Sequence, residues 1–415
     1  MTIVPDPNFR QNPERAVWVQ GIIDQKLVER LLPQIVKLTS QSREPITVFI
    51  DSNGGSVAAA EQILRLLKST NQNGEAPCTV ITVAVSKAAS AAADLLSSGD
   101  YSIAYQDTTL LYHGVRVPMT NPVTAEFATM LTDSLKTSND RYAMSLARKS
   151  EWRFMARVFA LRHAFEKYRT DATNKSLTDL QCFHGILRQK LSKTAEQVLE
   201  QAIARWDRYN ALVSHFEKQV ARRGPSQKLA DVEKVMLTAS TAFEFQRNKG
   251  NPEWSLRDGG LSKINDDFLL LGEYFQSAYS DQFRQLCGRY APVILTAEQE
   301  QSLSSLAESE ANEKRLEMVR PYFLPFWSFF VALCHALQEG ENELTPTDAF
   351  WLGLIDEPIG HADLPLIRYF AEFQEEPKLT RSALPEVRLP ESLPSPALPE
   401  GPASADAAPL APPPV

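Results

Sequence analysis

The chain has 415 residues, 43% of them hydrophobic and 23% charged, which suits a soluble protein with more than one typical domain's worth of core. Its net charge of −8 argues against a general nucleic-acid binder. Four widely spaced cysteines (Cys78, Cys182, Cys287, Cys334) form no C-x-x-C pair, so they read as reduced thiols of a cytoplasmic protein rather than a disulfide frame or a zinc site.

The opening MTIVPDPNFRQNPER lacks the basic start and apolar run of a signal peptide. Residues 16–23 then read as a strand and 24–39 as an amphipathic helix. A strand over 46–50, a helix over 57–69, a strand over 79–85, a helix over 90–98 and a strand over 108–113 follow. The strands are near-continuous apolar runs joined by short connections, the signature of parallel strands covered by helices. The expected class is therefore α/β.

Past about residue 122 strand signals stop. Helix formers with amphipathic spacing continue to about 339, as in AEQVLEQAIARWDRYNALVSHFEKQVARR at 195–223, which Arg223-Gly224-Pro225 should end. A second such pattern covers 227–247, and Asn248 to Gly260 reads as a loop. The most apolar stretch, PYFLPFWSFFVALCHAL at 321–337, is shorter than the ~20 residues of a bilayer span and carries Pro325. It reads as a buried or interface helix, and no membrane span is expected. From about 375 the chain holds 11 of its 27 prolines, and such a segment buries too little apolar surface to offset its ordering entropy. The organisation expected is an α/β core over 1–149 and 321–374, an all-α insertion over 150–320 and a disordered Pro-rich tail over 375–415.

Chemistry concentrates in two segments, IDSNGGSVAAAEQILRLLK at 50–68 and VSKAASAAADLLSSGDYSIAYQDTTLLYH at 85–113. Ser90 falls at a strand-to-helix turn, where unpaired backbone N–H groups and the helix dipole favour developing negative charge. The same position suits a plain helix cap. His113 closes the following strand and could take the serine proton, without which a hydroxyl is a weak nucleophile. Lys87 offers a Ser-Lys alternative, but a basic lysine needs burial, and a turn position argues for exposure.

Gly54-Gly55-Ser56, Ala88-Ala89-Ser90, Leu95-Leu96-Ser97-Ser98-Gly99 and Leu110-Leu111-Tyr112-His113, in that order, resemble the proteolytic subunit of the Clp protease, a serine peptidase family on the ClpP/crotonase fold. LTPTDAFWLGLIDE at 344–357 is similar to that family's closing segment, and RAVWVQGIIDQKLVERLLPQIVKL at 15–38 to its first strand and helix. The resemblance covers about residues 15–135 and 325–360. It implies Ser90 as nucleophile, His113 as base, and an oxyanion hole from the backbone N–H groups of Gly55 and Ala91. It also implies a triad acid 19 residues before Asp356. That count reaches Leu337, which cannot serve, and leaves Glu339 and Glu341 as the nearest acids, with Glu339 the choice. Asn53 replaces the family's proline, and Ala91-Ala92 its Met-Gly.

By the same resemblance the substrate is a peptide or unfolded protein lying as an extended strand between Ser56–Val57 and Gly114–Val115. The resemblance further implies a homo-oligomer and a Clp-type ATPase partner. Two departures bear on this: the approach to the first strand is short, and about 180 extra residues interrupt the helical handle on which the family's rings stack. No metal or cofactor is called for. The alternatives are a weak or inactive member whose insertion serves assembly or binding, and a crotonase-like thioester enzyme, which would need no Ser-His pair.

Overall fold

In the computed structural model, the described residues are 9–70, 74, 76–117, 124–170, 176–222, 270, 273–274, 277–278, 280–304 and 306–359. The 227–247 pattern, the loop at 248–260 and the Pro-rich tail lie outside them.

The architecture is mixed α/β with a parallel-rich sheet. Strand β1 (Ala16–Ile23) leads to helix α1 (Gln25–Gln41), capped by the Asp24 side chain on Leu27 N–H. Then follow β2 (Ile46–Gly55), α2 (Val57–Leu67), β3 (Val80–Ala89), α3 (Ala91–Leu96), β4 (Tyr101–Tyr105) and β5 (Thr109–His113). The closing part gives β6 (Glu341–Leu344), a short helix (Pro346–Trp351) and β7 (Glu357–Ile359). The sheet runs β1-β2-β3-β4-β7, with β5 paired to β3 and β6. Every pairing is parallel except β5–β6.

Three strands were not anticipated, β4, β6 and β7, and all are short. YSIAY, ENEL and EPI carry too few residues for a period-2 signal to stand out. Strands β2 and β3 also run past their expected ends, to Gly55 and Ala89. The extra residues are the ones that carry the glycine turn and the approach to Ser90.

The helical part begins with α4 (Ala125–Arg169), a single helix that runs straight through the expected 149/150 boundary. It is followed by α5 (Asp179–Arg188) and α6 (Lys193–Arg222). Helices at Asp281–Ile294 and Ala297–Leu303 precede the last long helix, Glu308–Leu337, here called α9, which likewise crosses the expected 320/321 boundary. One apolar core joins sheet residues such as Val19, Ile50 and Ala84 to Phe154, Phe183, Phe329 and Leu333 of the helices. Phe154 stacks on Phe330 at 4.3 Å. The apolar stretch at 321–337 is therefore a core helix. No helix among the described residues is long and apolar enough to cross a membrane.

A buried guanidinium ties these parts together. Arg153 of α4 bonds Asp356 Oδ2 at 2.7 Å, Ser97 O at 2.8 Å, Gly99 O at 2.6 Å and Ser102 Oγ at 3.0 Å. Its side chain is 0% exposed and that of Asp356 6%. Asp356 also accepts from Ser102 N–H at 2.7 Å. Breaking a buried pair from one side leaves an uncompensated charge. Arg153→Met should therefore cost about 3–5 kcal/mol in urea unfolding. A loss below about 1 kcal/mol would show that the clamp is not a main support.

Candidate active site

Ser90 ends β3 and caps α3 with φ 57° and ψ −128°, the one non-glycine residue with positive φ among those described. L-residues avoid this region, at a cost of order 1–3 kcal/mol, so the surroundings must hold it. Ser90 N–H donates to Leu111 O at 2.7 Å, and Ser90 O accepts from Ala93 N–H at 2.8 Å and Asp94 N–H at 3.2 Å. Its hydroxyl makes no capping bond. The backbone is thus fastened on both sides, while the Oγ makes no capping bond.

Gly54 is the reason the turn closes. A Cβ there would stand 2.4 Å from Ala89 O and 2.7 Å from Ser90 Cβ. Gly54 has φ 89° and Gly55 φ 146°, and a Cβ on Gly55 would meet Ile23 O at 2.3 Å. Only glycine lets β2 run this close to both neighbours. Ser56 then caps α2, accepting from Ala59 N–H, while its own N–H bonds Ile23 O at 2.7 Å.

The β3–β5 register pairs Ala89 with Leu111, so Ser90 is level with Tyr112 and His113 is one residue further along the adjacent strand. Leu110 and Tyr112 are buried, whereas Thr109, Leu111 and His113 on the other face are half-buried. Tyr112 is anchored by a 2.7 Å bond between its hydroxyl and Ser97 Oγ. His113 Nδ1 lies 2.6 Å from Gly114 O. No hydrogen bond joins Ser90 Oγ to His113 among the described residues. Gly114 is wedged in place: a Cβ would stand 2.6 Å from Gln338 O and 2.7 Å from Asn139 Nδ2. Val115 N–H donates to Asn139 Oδ1 at 2.7 Å.

Among the described residues no hydrogen bond or ion pair joins Glu339, expected to orient the histidine, to His113. The Glu339 carboxylate is held by Arg205 Nη1 at 2.6 Å. Arg205 belongs to the insertion, which sequence reading could not bring to this point. Glu341 is the acid directly across from His113 in the β5–β6 register, but it is ion-paired with Arg116, which holds its carboxyl below the usual range.

A cleft between α2, α3 and α4 opens beside Val57 and Ala91 and is lined further by Glu61, Asp94, Tyr142 and Lys149. Sequence reading passed over these residues, because α4 meets α2 and α3 only in the folded chain. Burial pushes the Asp94 carboxyl up to about 6, with the Lys149 charge opposing, and its Oδ1 has no hydrogen-bond partner. Burial likewise pulls the Lys149 ammonium down, against the pull of Asp94.

Residues 8–127 match the Clp protease family model. Over that segment, under a third of the chain, the sequence is similar to that family. Among solved structures, a ClpP1 point mutant from Listeria monocytogenes is similar at 24% identity over 33% of this chain and 72% of that chain, with a TM-score of 0.27. No curated protein matches. The β2–α2 glycine turn, the Ser90 turn and the strand ending at His113 all fall inside the matched segment, whereas Glu339 and the closing block fall outside it.

The raised Asp94 value sets a pH dependence. A carboxyl titrating near 6 when folded and near 4 when unfolded favours the folded state most below about 4, and that favour is lost as pH rises through 6. Asp94→Asn should therefore melt higher than the parent at pH 7.5, by on the order of 1–3 kcal/mol, with the gap closing toward pH 4. A gap that widens toward low pH would reverse the assignment.

Proposed function

We propose that this ClpP-like chain is a serine peptidase with Ser90 as nucleophile and His113 as base. The observation that carries the reading is Ser90 itself: a strained, glycine-packed turn with a free hydroxyl. Strain of this kind, at the end of a strand and the start of a helix, is how a nucleophilic serine is presented above a sheet.

In this reading Ser90 Oγ attacks the scissile carbonyl carbon while its proton passes to His113 Nε2. The carbonyl oxygen becomes an oxyanion held by the N–H groups of Gly55 and Ala91. Ala91 is the first residue of α3, so its N–H has no acceptor within the helix. Each such donor is worth on the order of 10²–10³ in rate. The tetrahedral adduct then collapses, the amine leaves with the proton from His113, and water hydrolyses the Ser90 ester with His113 again as base. Peptide would lie between Ser56–Val57 and Gly114–Val115.

The orienting group for His113 in this scheme is the Gly114 carbonyl. An Nδ1–H donated to it leaves the Nε2 lone pair free to act as base. The Ser90–His113 bond would then tighten only with substrate present. A second reading, a weak or inactive member with an assembly or binding role, is favoured by the engagement of Glu339 with Arg205. A homo-oligomer, an ATPase partner and a cytoplasmic setting remain part of the proposal, on family resemblance alone.

A fluorophosphonate probe should label the full-length chain, and Ser90→Ala should abolish labelling. His113→Ala should lower labelling rate and peptide hydrolysis by at least 10³ while the melting temperature holds. Persistent labelling of the Ser90→Ala protein would remove the nucleophile assignment. Absence of labelling in the parent chain would favour the inactive reading.

The two candidates for the orienting group separate by mutation. Glu339→Gln should leave the peptidase rate within about threefold of the parent, since its carboxylate serves Arg205. A loss approaching the ~10⁴ seen when a triad acid is removed would return Glu339 to the catalytic set.

A further inference from the structure

Behind the strand end that carries His113, three elements bring together Asp140 of α4, His335 of α9 and Glu273. One oxygen from each acid and one imidazole nitrogen lie within 4.8 Å of one another. His335 Nε2 is 3.3 Å from Glu273 Oε2, and Nδ1 is 3.5 Å from Asp140 Oδ1. The imidazole is 3% exposed, and among the described residues no hydrogen bond reaches its Nε2, Glu273 standing only at ion-pair distance. A buried ring nitrogen that makes no hydrogen bond is uncommon in a folded chain.

Glu273 further accepts from Tyr209 Oη at 2.6 Å and from Arg205 Nη2 at 3.1 and 3.2 Å. Arg205 reaches on to Glu339.

We propose that Asp140, Glu273 and His335 bind one divalent transition-metal ion of the zinc or manganese class. The mixed imidazole and carboxylate donors favour such ions over calcium or magnesium, which take all-oxygen sites. Metal–ligand bonds of roughly 2.0–2.2 Å place tetrahedral donors about 3.3–3.5 Å apart, and His335 Nε2 and Glu273 Oε2 already stand at that spacing. Asp140 is half-buried, the most accessible of the three, and is the side chain that closes on the ion. Tyr209 and Arg205 keep the Glu273 carboxylate oriented from behind.

The role is structural. Glu273 lies in the inserted part of the chain, whereas Asp140 and His335 lie on the two long helices that flank it. The ion staples the first to the second. Asn139, next to Asp140, holds Val115 N–H at 2.7 Å, so the staple also bears on the strand end that carries His113. The site does not rest on the peptidase reading, because no step there uses it. The donors come from three distant stretches with no motif spacing, which is why the sequence showed no metal site.

Chelator-treated full-length protein, dialysed separately against Mn²⁺ and Zn²⁺, tests the site by plasma mass spectrometry and calorimetry. Mn²⁺ avoids the four buried thiols, which zinc could otherwise take. One Mn²⁺ per chain and a higher melting temperature are expected, with affinity at least tenfold weaker in Asp140→Asn and His335→Gln. Asp140→Asn guards against a folding defect at the buried histidine, and circular dichroism of each variant checks this. Less than about 0.2 ion per chain in the parent, or equal affinity in both variants, overturns the proposal. Labelling of Ser90 in the same samples reports on the peptidase reading independently.

Discussion

The buried Arg153 guanidinium is the constraint on which the arrangement depends. It bonds four acceptors from separate places: the end of α3, the turn after it, β4 and the closing Asp356. A charge with no access to water needs all its partners at once, so those four points are fixed relative to α4. Helix α3 is only six residues long. Holding its far end therefore also restrains its first turn, where Ser90 sits. Arg157, one turn on, adds bonds to Phe350 O, Ile355 O and Asp356 O and stacks over the Phe350 ring at 3.8 Å. The closing block and α4 are thereby locked to the sheet.

Strain at Ser90 follows from that frame. A left-handed serine persists only where neighbours over-determine it. Three do so: the Leu111 carbonyl on one side, the Gly54 backbone on another, and the α3 N–H groups that take its own carbonyl. Each comes from a different element, so the turn is a product of the sheet register rather than of its local sequence. The same register sets His113 beyond Tyr112, whose bond to Ser97 Oγ ties β5 back to α3.

The helical insertion is not a separate body hung on the core. Helices α4 and α9 each continue without a break from the region beside the sheet into the inserted part. Their aromatic side chains, Phe154, Phe329 and Phe330 among them, share one core with the strands. Through Arg205 the insertion also reaches Glu339 at 2.6 Å.

By itself the sequence determined the local elements and the order of the motifs. Apolar runs marked β1, β2, β3 and β5, and Gly54-Gly55 and Ala88-Ala89-Ser90 marked the two turns, because steric and periodic signals are short-range. The α9 helix was legible from its unbroken apolar run. Strands β4, β6 and β7 were not, since five, four and three residues carry too little pattern. Helices α4 and α9 run across the boundaries expected at 149/150 and 320/321, because helical periodicity does not announce which end packs where. The partner of each charge was decided by tertiary structure alone. Glu339 is near in sequence to the expected acid yet belongs to Arg205, and Arg153 is distant yet closes on Asp356. Ion pairs are settled by burial and distance in space, quantities that spacing along a chain does not contain.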